Sequence, residues 1–326
     1  MQAGEQIAVA GLLEEMDEKC PFNEDVKGAT ENEDEHIKND DLDSVQSVQA
    51  NNGGTLGDNL NDGLHGKAGT WQGAPYEPSD VQKSPANDSR RKNGEEQEKA
   101  WQKVRVPGTP TIKTGLYPFT VAAHHLIPGN AALYTDYNDL QKYMIKDKAF
   151  KAGGKSWKIK HHIGYNVNGA HNGVWLAGNY AIRSGASPTG VTWSAMGNED
   201  WQLNYVAACV KATGGQFHDT HEDYSESVLK LLNKIAEKLE FHQANCKLCQ
   251  KNGVSEIPPP YIIKQRLYNL SKYFKEQLTS SPDAWRRPWF SSGRWRDVVF
   301  KNNAETPCQA FLDAYSQACV EETKEI

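Results

Sequence analysis

Two imidazoles stand side by side at His124-His125, after the apolar run "YPFTVAA" and before a Pro-Gly turn at 128–129. Two more pieces with chemical potential follow. Asn172-Gly173 precedes the β-prone Val174-Trp175-Leu176, and His218 and His221 stand three residues apart just ahead of an amphipathic run. Adjacent residues of a strand point to opposite faces, so a His-His pair near a bend can divide its labour. One ring can ligate a metal while the next points at a water. A neutral imidazole can draw a proton from that water at neutral pH, and a divalent cation offsets charge on a leaving oxygen. An Asn in a tight turn can bridge loop backbone and hold the base in one tautomer. Together these are the requirements of phosphodiester hydrolysis. Singly, each piece has a plainer reading: one histidine facing the core and one facing water, a hairpin turn at Asn-Gly, a solvated pair at His218 and His221.

These residues need elements to position them. The stretches "YPFTVA", "WKIKHHI" and "GVWLA" read as short strands. "NEDWQLNYVAACVKATGG" reads as a helix, with Asn198 as its candidate cap and Gly214 at its end. Tyr224, Val228, Leu231, Leu232, Ile235 and Leu239 recur at helical spacing behind Asp223. "YIIKQRLYNLSKYFKEQL" predicts another helix after the triple proline at 258–260, and "TDYNDLQKYMIKDKAF" (Thr135–Phe150) predicts one stopped at Ala-Gly-Gly. The expectation is an α+β, helix-rich fold carrying a small hairpin.

Composition sets the domain plan. Residues 1–100 hold 9 Lys/Arg against 22 Asp/Glu, whereas residues 101–326 hold 27 against 20, so a net of −6 conceals an acidic region and a basic one. The stretches "ATENEDEHIKNDDLDS" and "NNGGTLGDNLNDGLHG" are too poor in apolar residues to offset the entropy of ordering. The expected plan is therefore a candidate docking helix within residues 1–19, a disordered acidic linker over 20–100, a core over 101–254 and a Trp/Arg-rich helical extension over 255–326. Six cysteines (Cys20, Cys209, Cys246, Cys249, Cys308, Cys319) do not form the disulfide framework of a small secreted domain. No apolar run approaches the roughly 18–20 residues of a membrane helix, and no Sec-type signal peptide is read at the N-terminus.

In combination the motifs resemble the HNH/Endonuclease VII superfamily, in its AHH subgroup of polymorphic-toxin nucleases. The resemblance rests on Ala123-His124-His125-Leu126-Ile127-Pro128, on Asn172-Gly173-Val174-Trp175-Leu176, and on His218, His221, Tyr224 and Val228, over about residues 117–240. It implies a ββα-metal core with extra helices. It also implies His124 as metal ligand, His125 as general base and Asn172 as the orienting Asn, with His218 and His221 completing the metal or phosphate site. The implied cofactor is a divalent ion (Mg, Zn, Mn or Ni), and the implied substrate is DNA. Members of this subgroup typically act as antibacterial toxins, so the resemblance further implies delivery by a contact-dependent (type VI-like) secretion system into the target-cell cytoplasm. It implies a cognate immunity protein in the producer, and docking to the secretion apparatus or a chaperone through the N-terminal region. An RNase using the same site, or a non-catalytic zinc-stabilised binding module, would carry similar histidines.

Three other features carry chemical potential. Cys246-x-x-Cys249, with His242 nearby, has metal-knuckle spacing. His161-His162 follow the basic strand "KSWKIK", which either touches phosphate or is simply solvated. "AWRRPWFSSGRWRD" interleaves Arg and Trp as nucleic-acid surfaces do, which makes Arg286, Arg287, Arg294 and Arg296 candidate nucleic-acid contacts. Tryptophan packing in a C-terminal subdomain accounts for the same pattern.

Overall fold

The computed structural model describes Phe22 and residues 52–64, 103–152, 155–160, 162–163, 165–179, 182, 199–245, 256–257, 259–260 and 262–318. The chain runs through helix α1 (Gly53–Leu64) and strands β1 (Lys103–Val106), β2 (Gly115–Pro118), β3 (Thr120–His125), β4 (Ala149–Ala152), β5 (Lys155–Ile159) and β6 (Gly173–Gly178). It continues through helix α2 (Glu199–Thr213), strand β7 (Phe217–His218), helix α3 (Glu222–Asn245), strand β8 (Glu256–Ile257) and helices α4 (Ile262–Thr279), α5 (Gly293–Val299) and α6 (Gln309–Gln317). The fold is α+β and helix-rich.

The sheet that matters most is β3-β6-β7, with β6 in the centre. Strand β3 runs antiparallel to β6, from Thr120 opposite Gly178 to His125 opposite Gly173, and β7 runs parallel to β6 on its other side. Every residue of β6 is buried, as expected for a strand covered on both faces. Val174 and Leu176 enter one core with Leu126, Ile127, Tyr224, Val228 and Phe274. Trp175 and Ala177 enter a second core with Leu56, Leu60, Val121, Tyr205 and Phe217. Residues directly opposite across an antiparallel pair share a face. His124, opposite Val174, therefore looks toward the α3 side, and His125, opposite Gly173, toward the α1 side.

Helix α3 forms where the periodicity placed it, burying Tyr224, Val228, Leu231, Leu232, Ile235, Ala236 and Leu239. Glu222 and Asp223 in its first turn complement the positive end of the helix dipole. Helix α2 ends at Gly214, whose φ of 70° and backbone N–H to Val210 make it the left-handed terminator that a residue with a Cβ fills poorly. Helix α4 was also expected. Its Ile263, Leu267, Leu270, Phe274 and Leu278 lie in the same core as α3, so a boundary between 254 and 255 divides the sequence but not the packing.

Two expectations are corrected. The helix expected over Thr135–Phe150 is a 3-10 turn at Asp139–Tyr143 followed by β4, which pairs with β5. Asp147 takes a left-handed φ of 60° that interrupts any helix, and Phe150 opposite Trp157 gives the hairpin a buried face. The second concerns the acidic linker over 20–100, which is not uniformly without structure. Its residues 53–64 form α1, with Leu56 and Leu60 fully buried against β3 and β6. Phe22 likewise packs into the first core, its ring 5.8 Å from that of Tyr143. The expected helix within residues 1–19, Asn198, His161, Cys246 and Cys249 lie outside the described residues. No helix among the described residues is long and apolar enough to cross a membrane.

A candidate metal centre beside a hydrogen-bonded histidine

His124, next to last in β3, has its ring in the interior, 1% exposed. The loop carrying β7 and the first turn of α3 bring His218 and His221 to it, each with its ring centroid 5.0 Å from that of His124. The Tyr224 ring sits 5.2 Å away and closes the floor. One nitrogen from each of the three histidines lies within 4.8 Å of the others. His221 Nδ1 is already hydrogen-bonded to Ser225 Oγ at 3.2 Å, which leaves its Nε2 for a ligand. Neither ring nitrogen of His124 has a hydrogen-bond partner. A buried polar atom without a partner costs about 1–3 kcal/mol, and a metal ion held by the three rings would engage one of these two nitrogens. Burial, and then the charge of His221, hold His124 and His218 below the ordinary imidazole range, His218 at about 3. His221 is also lowered, chiefly by burial. All three are thus neutral, with lone pairs available, at the pH where a metal-bound site works.

His125 has a different environment. Its Nε2 lies 2.9 Å from Asn168 Oδ1. The same Oδ1 accepts the backbone N–H of Asn52 at 2.9 Å, and the Asn168 carbonyl accepts from Asn59 Nδ2 at 2.8 Å. Burial lowers the affinity of His125 for a second proton and the nearby His221 lowers it further, while the Asn168 contact opposes them.

Asn172 is completely buried at the junction between the two sides. Its Nδ2 donates to the carbonyls of Ile127 and Val167 at 2.9 and 2.8 Å, and its Oδ1 accepts from Ile127 N–H and Ser271 Oγ at 2.8 and 3.1 Å. It bridges loop backbone, as its residue type suggested. Its amide is fully used in those four bonds, however, and the residue in contact with His125 is Asn168. No motif drew attention to Asn168. The only hint in the chain was its place in the Asn-rich loop "YNVNGAHN".

Residues 216–223 are pinned from the C-terminal side. Ser291 N–H donates to Gln216 Oε1, Ser291 Oγ donates to the Phe217 carbonyl, and Gly293 N–H donates to the Thr220 carbonyl. A Cβ on Gly293 would stand 3.0 Å from that Thr220 oxygen, so this approach favours glycine.

The arginine-tryptophan segment is not the open surface its pattern suggested. Trp285, Trp289 and Trp295 are buried and therefore closed to base stacking. Arg287 pairs with Asp297 at 2.7 Å and Arg296 with Asp223 at 2.8 Å, while Arg286 donates to the carbonyls of Ala284 and Trp285. Arg294 is exposed and lies over the Trp295 ring. His162 accepts the Lys146 N–H, and His171, next to Asn172, is buried against Tyr268 and Tyr165.

Residues 111–258 match the family model AHH, described as a nuclease family of the HNH/ENDO VII superfamily with conserved AHH, and Ala123-His124-His125 falls inside the matched segment. No curated protein and no solved structure matches the chain.

Proposed function

From the match of residues 111–258 to the model of the AHH nuclease family, we propose that this protein is a metal-dependent endonuclease hydrolysing DNA, with His125 as general base and His124, His218 and His221 holding the ion. The observation that carries the reading is the pairing of two unlike imidazole environments on consecutive residues. His124 is buried with both nitrogens lacking partners among two other histidines, and His125 is hydrogen-bonded to Asn168.

An all-imidazole donor set suits zinc or nickel better than magnesium or manganese, which prefer oxygen. When bound, the ion polarises the scissile phosphate and offsets charge on the leaving oxygen. The chain's own residues supply the rest. Because Asn168 Oδ1 can only accept, His125 carries its proton on Nε2 and presents the Nδ1 lone pair. That lone pair takes a proton from water as the water oxygen bonds to phosphorus and the P–O bond to the departing sugar breaks. Asn172 holds the turn after β3 against the turn before β6, which fixes the two histidines relative to each other. Tyr224 Oη donates to the Leu126 carbonyl at 2.5 Å and ties α3 to the same turn.

For the substrate backbone the basic surface is split. Arg294 is exposed over the Trp295 ring, and the β4-β5 hairpin turns Lys151 and Lys158 outward on its solvent face. Arg286, Arg287 and Arg296 support the C-terminal packing instead. The biological setting we propose follows the family resemblance: an antibacterial toxin made in the bacterial cytoplasm and delivered through a type VI-like system. A cognate immunity protein neutralises it in the producer, and the N-terminal region docks to the delivery apparatus. The acidic composition of the first hundred residues, set against the basic remainder, supports it.

The direct test is incubation of the purified full-length protein with supercoiled plasmid and with total RNA, with and without EDTA and with zinc, nickel, manganese or magnesium restored. DNA cleavage that EDTA stops and a transition ion restores is the expected result. Cleavage of RNA alone would make the protein an RNase of the same site. EDTA-induced unfolding with no cleavage of either would leave a metal-stabilised binding module.

A further inference from the structure

The AHH segment begins at residue 111, yet the side chain in contact with His125 is held by residues far upstream of it. Asn168 Oδ1 receives two contacts, from His125 Nε2 and from the Asn52 backbone N–H, both at 2.9 Å. A backbone N–H can only donate, so this contact fixes which end of the Asn168 amide is oxygen. The oxygen in turn requires the proton of His125 to sit on Nε2. A second bond, from Asn59 Nδ2 to the Asn168 carbonyl at 2.8 Å, anchors the backbone of the same residue. Asn52 and Asn59 are brought there by α1, whose Leu56 and Leu60 rest on Gly173, the residue opposite His125 in the ladder. A Cβ at Gly173 would stand 2.8 Å from Leu56 Cδ1 and 3.0 Å from Leu60 Cδ1, so the glycine is the seat that lets the helix approach.

We propose that α1 and Asn168 form a lock on the imidazole of His125. Asn168 is a positioning residue that selects the Nε2–H tautomer, and the segment Asn52–Leu60 is the part of the active centre that keeps the Asn168 amide from turning over. Loss of α1 removes the Asn52 N–H that fixes the oxygen end toward His125; an amide turned over would present its NH2 end to a bare Nε2 and place the proton on Nδ1, the nitrogen that the proposed base uses. The acidic N-terminal region thus has a role in chemistry as well as in any delivery. The inference rests on the reading of His125 as general base.

The experiment uses the full-length chain and four variants: Asn168→Ala, Asn168→Asp, the double variant Leu56→Ala/Leu60→Ala, and His125→Ala. Long-range proton–nitrogen correlation spectra of the metal-free protein report which nitrogen of His125 carries the proton. Steady-state cleavage of a DNA duplex separates kcat from KM, and calorimetry with zinc follows metal affinity. The parent should show His125 protonated on Nε2. Asn168→Ala and the leucine double variant should lose that preference and about 10–100-fold in kcat, the usual cost of removing an orienting partner, with KM and zinc affinity held. Asn168→Asp, whose carboxylate accepts the same bonds, should keep the tautomer and recover most of kcat. If His125→Ala abolishes cleavage while Asn168→Ala keeps the parental tautomer and kcat, the lock is refuted and the base assignment survives. A loss in Asn168→Ala that appears in KM or zinc affinity instead of kcat also refutes it. Parental cleavage by His125→Ala overturns the base assignment and the lock together.

Discussion

The α3 side and the α1 side of the β3-β6 pair hold consecutive histidines, and the protein treats them in opposite ways. On the α3 side His124 is sealed among His218, His221 and Tyr224, and neither of its nitrogens finds a partner. On the α1 side His125 is held by one acceptor, which is itself held by two donors. A strand's alternation sends neighbours to different faces, and here each face belongs to a different core. The difference separates two kinds of preparation for chemistry. In the reading proposed above, the unpartnered ring serves an ion and the hydrogen-bonded ring settles where a proton sits.

The sharpest way to break this contrast is to truncate each histidine in turn. His125→Ala should lower the cleavage rate by about 10²–10⁴-fold, the contribution of a positioned general base, while zinc binding by calorimetry stays near that of the parent. His124→Ala should lose metal affinity first and regain some activity in excess metal. Identical behaviour of the two variants would erase the distinction between the faces.

Asn172 is common to both sides, so its loss should harm them together. Asn172→Ala leaves the Ile127 N–H and the carbonyls of Ile127 and Val167 without their partner in a buried place. We expect a loss of about 3–5 kcal/mol in urea-induced unfolding, from groups that cost about 1–3 kcal/mol each when stranded. A variant of near-parental stability would mean the junction is not shared.

His124→Leu should sharpen the contrast further. It removes the buried unpartnered nitrogens, so the metal-free protein should gain about 1–3 kcal/mol while losing its response to zinc. The parent, by comparison, should be stabilised by added zinc in thermal melts. A destabilised His124→Leu protein without metal would show that the ring is supported by contacts other than an ion.

A third histidine, His171, supplies a reference with no assigned chemistry. Burial, followed by the charge of Lys264, holds it at about 3, below the unfolded value near 6.5. The unfolded chain therefore takes up the proton first, and the contribution of His171 is complete above pH 6.5 and lost as pH falls toward 3. Stability should decline by about 1 kcal/mol per pH unit across that window from this residue, and His171→Phe should flatten the profile measured by denaturant titration. The smallest effect belongs to the ion pair at the C-terminal edge. Arg296 and Asp223 are 22% and 43% exposed, so Arg296→Ala should cost less than about 1 kcal/mol. A larger loss of stability or of zinc affinity would mean that this pair, and not Ser291 and Gly293, holds the 216–223 loop.

Much of the site could be read from residue types in order. His-His at a strand end, Asn-Gly before an apolar run and two histidines ahead of a periodic helix are local patterns, and β3, β6 and α3 formed where those patterns lay. What escaped was set by contacts across long separations. Helix α1 hides in a run averaging strongly polar, where only the spacing of Leu56, Leu60 and Leu64 marks a face. Its partner Gly173 lies more than a hundred residues away. Asn168 is one of several asparagines in its loop, and only the approach of Asn52 and His125 distinguishes it. The error at 135–150 was local. Gly153-Gly154 between Phe150 and Trp157 was a hairpin signal, overlooked beside a run of good helix formers. The Arg-Trp pattern misled because exposure cannot be read from composition, and the tryptophans went to the cores.

The bonds from Asn52 to Asn168 and from Gly293 to Thr220 place the supports of one small site more than two hundred residues apart in the chain. The order of manufacture gives this a meaning that the finished molecule conceals. A ribosome adding about 5–20 residues per second needs on the order of ten seconds or more to go from the first support to the last. For the later part of that interval the four histidines exist before the last of the contacts that align them. Chains arrested ahead of Ser291 should therefore show little cutting even with metal present, and extension past Gly293 should switch it on.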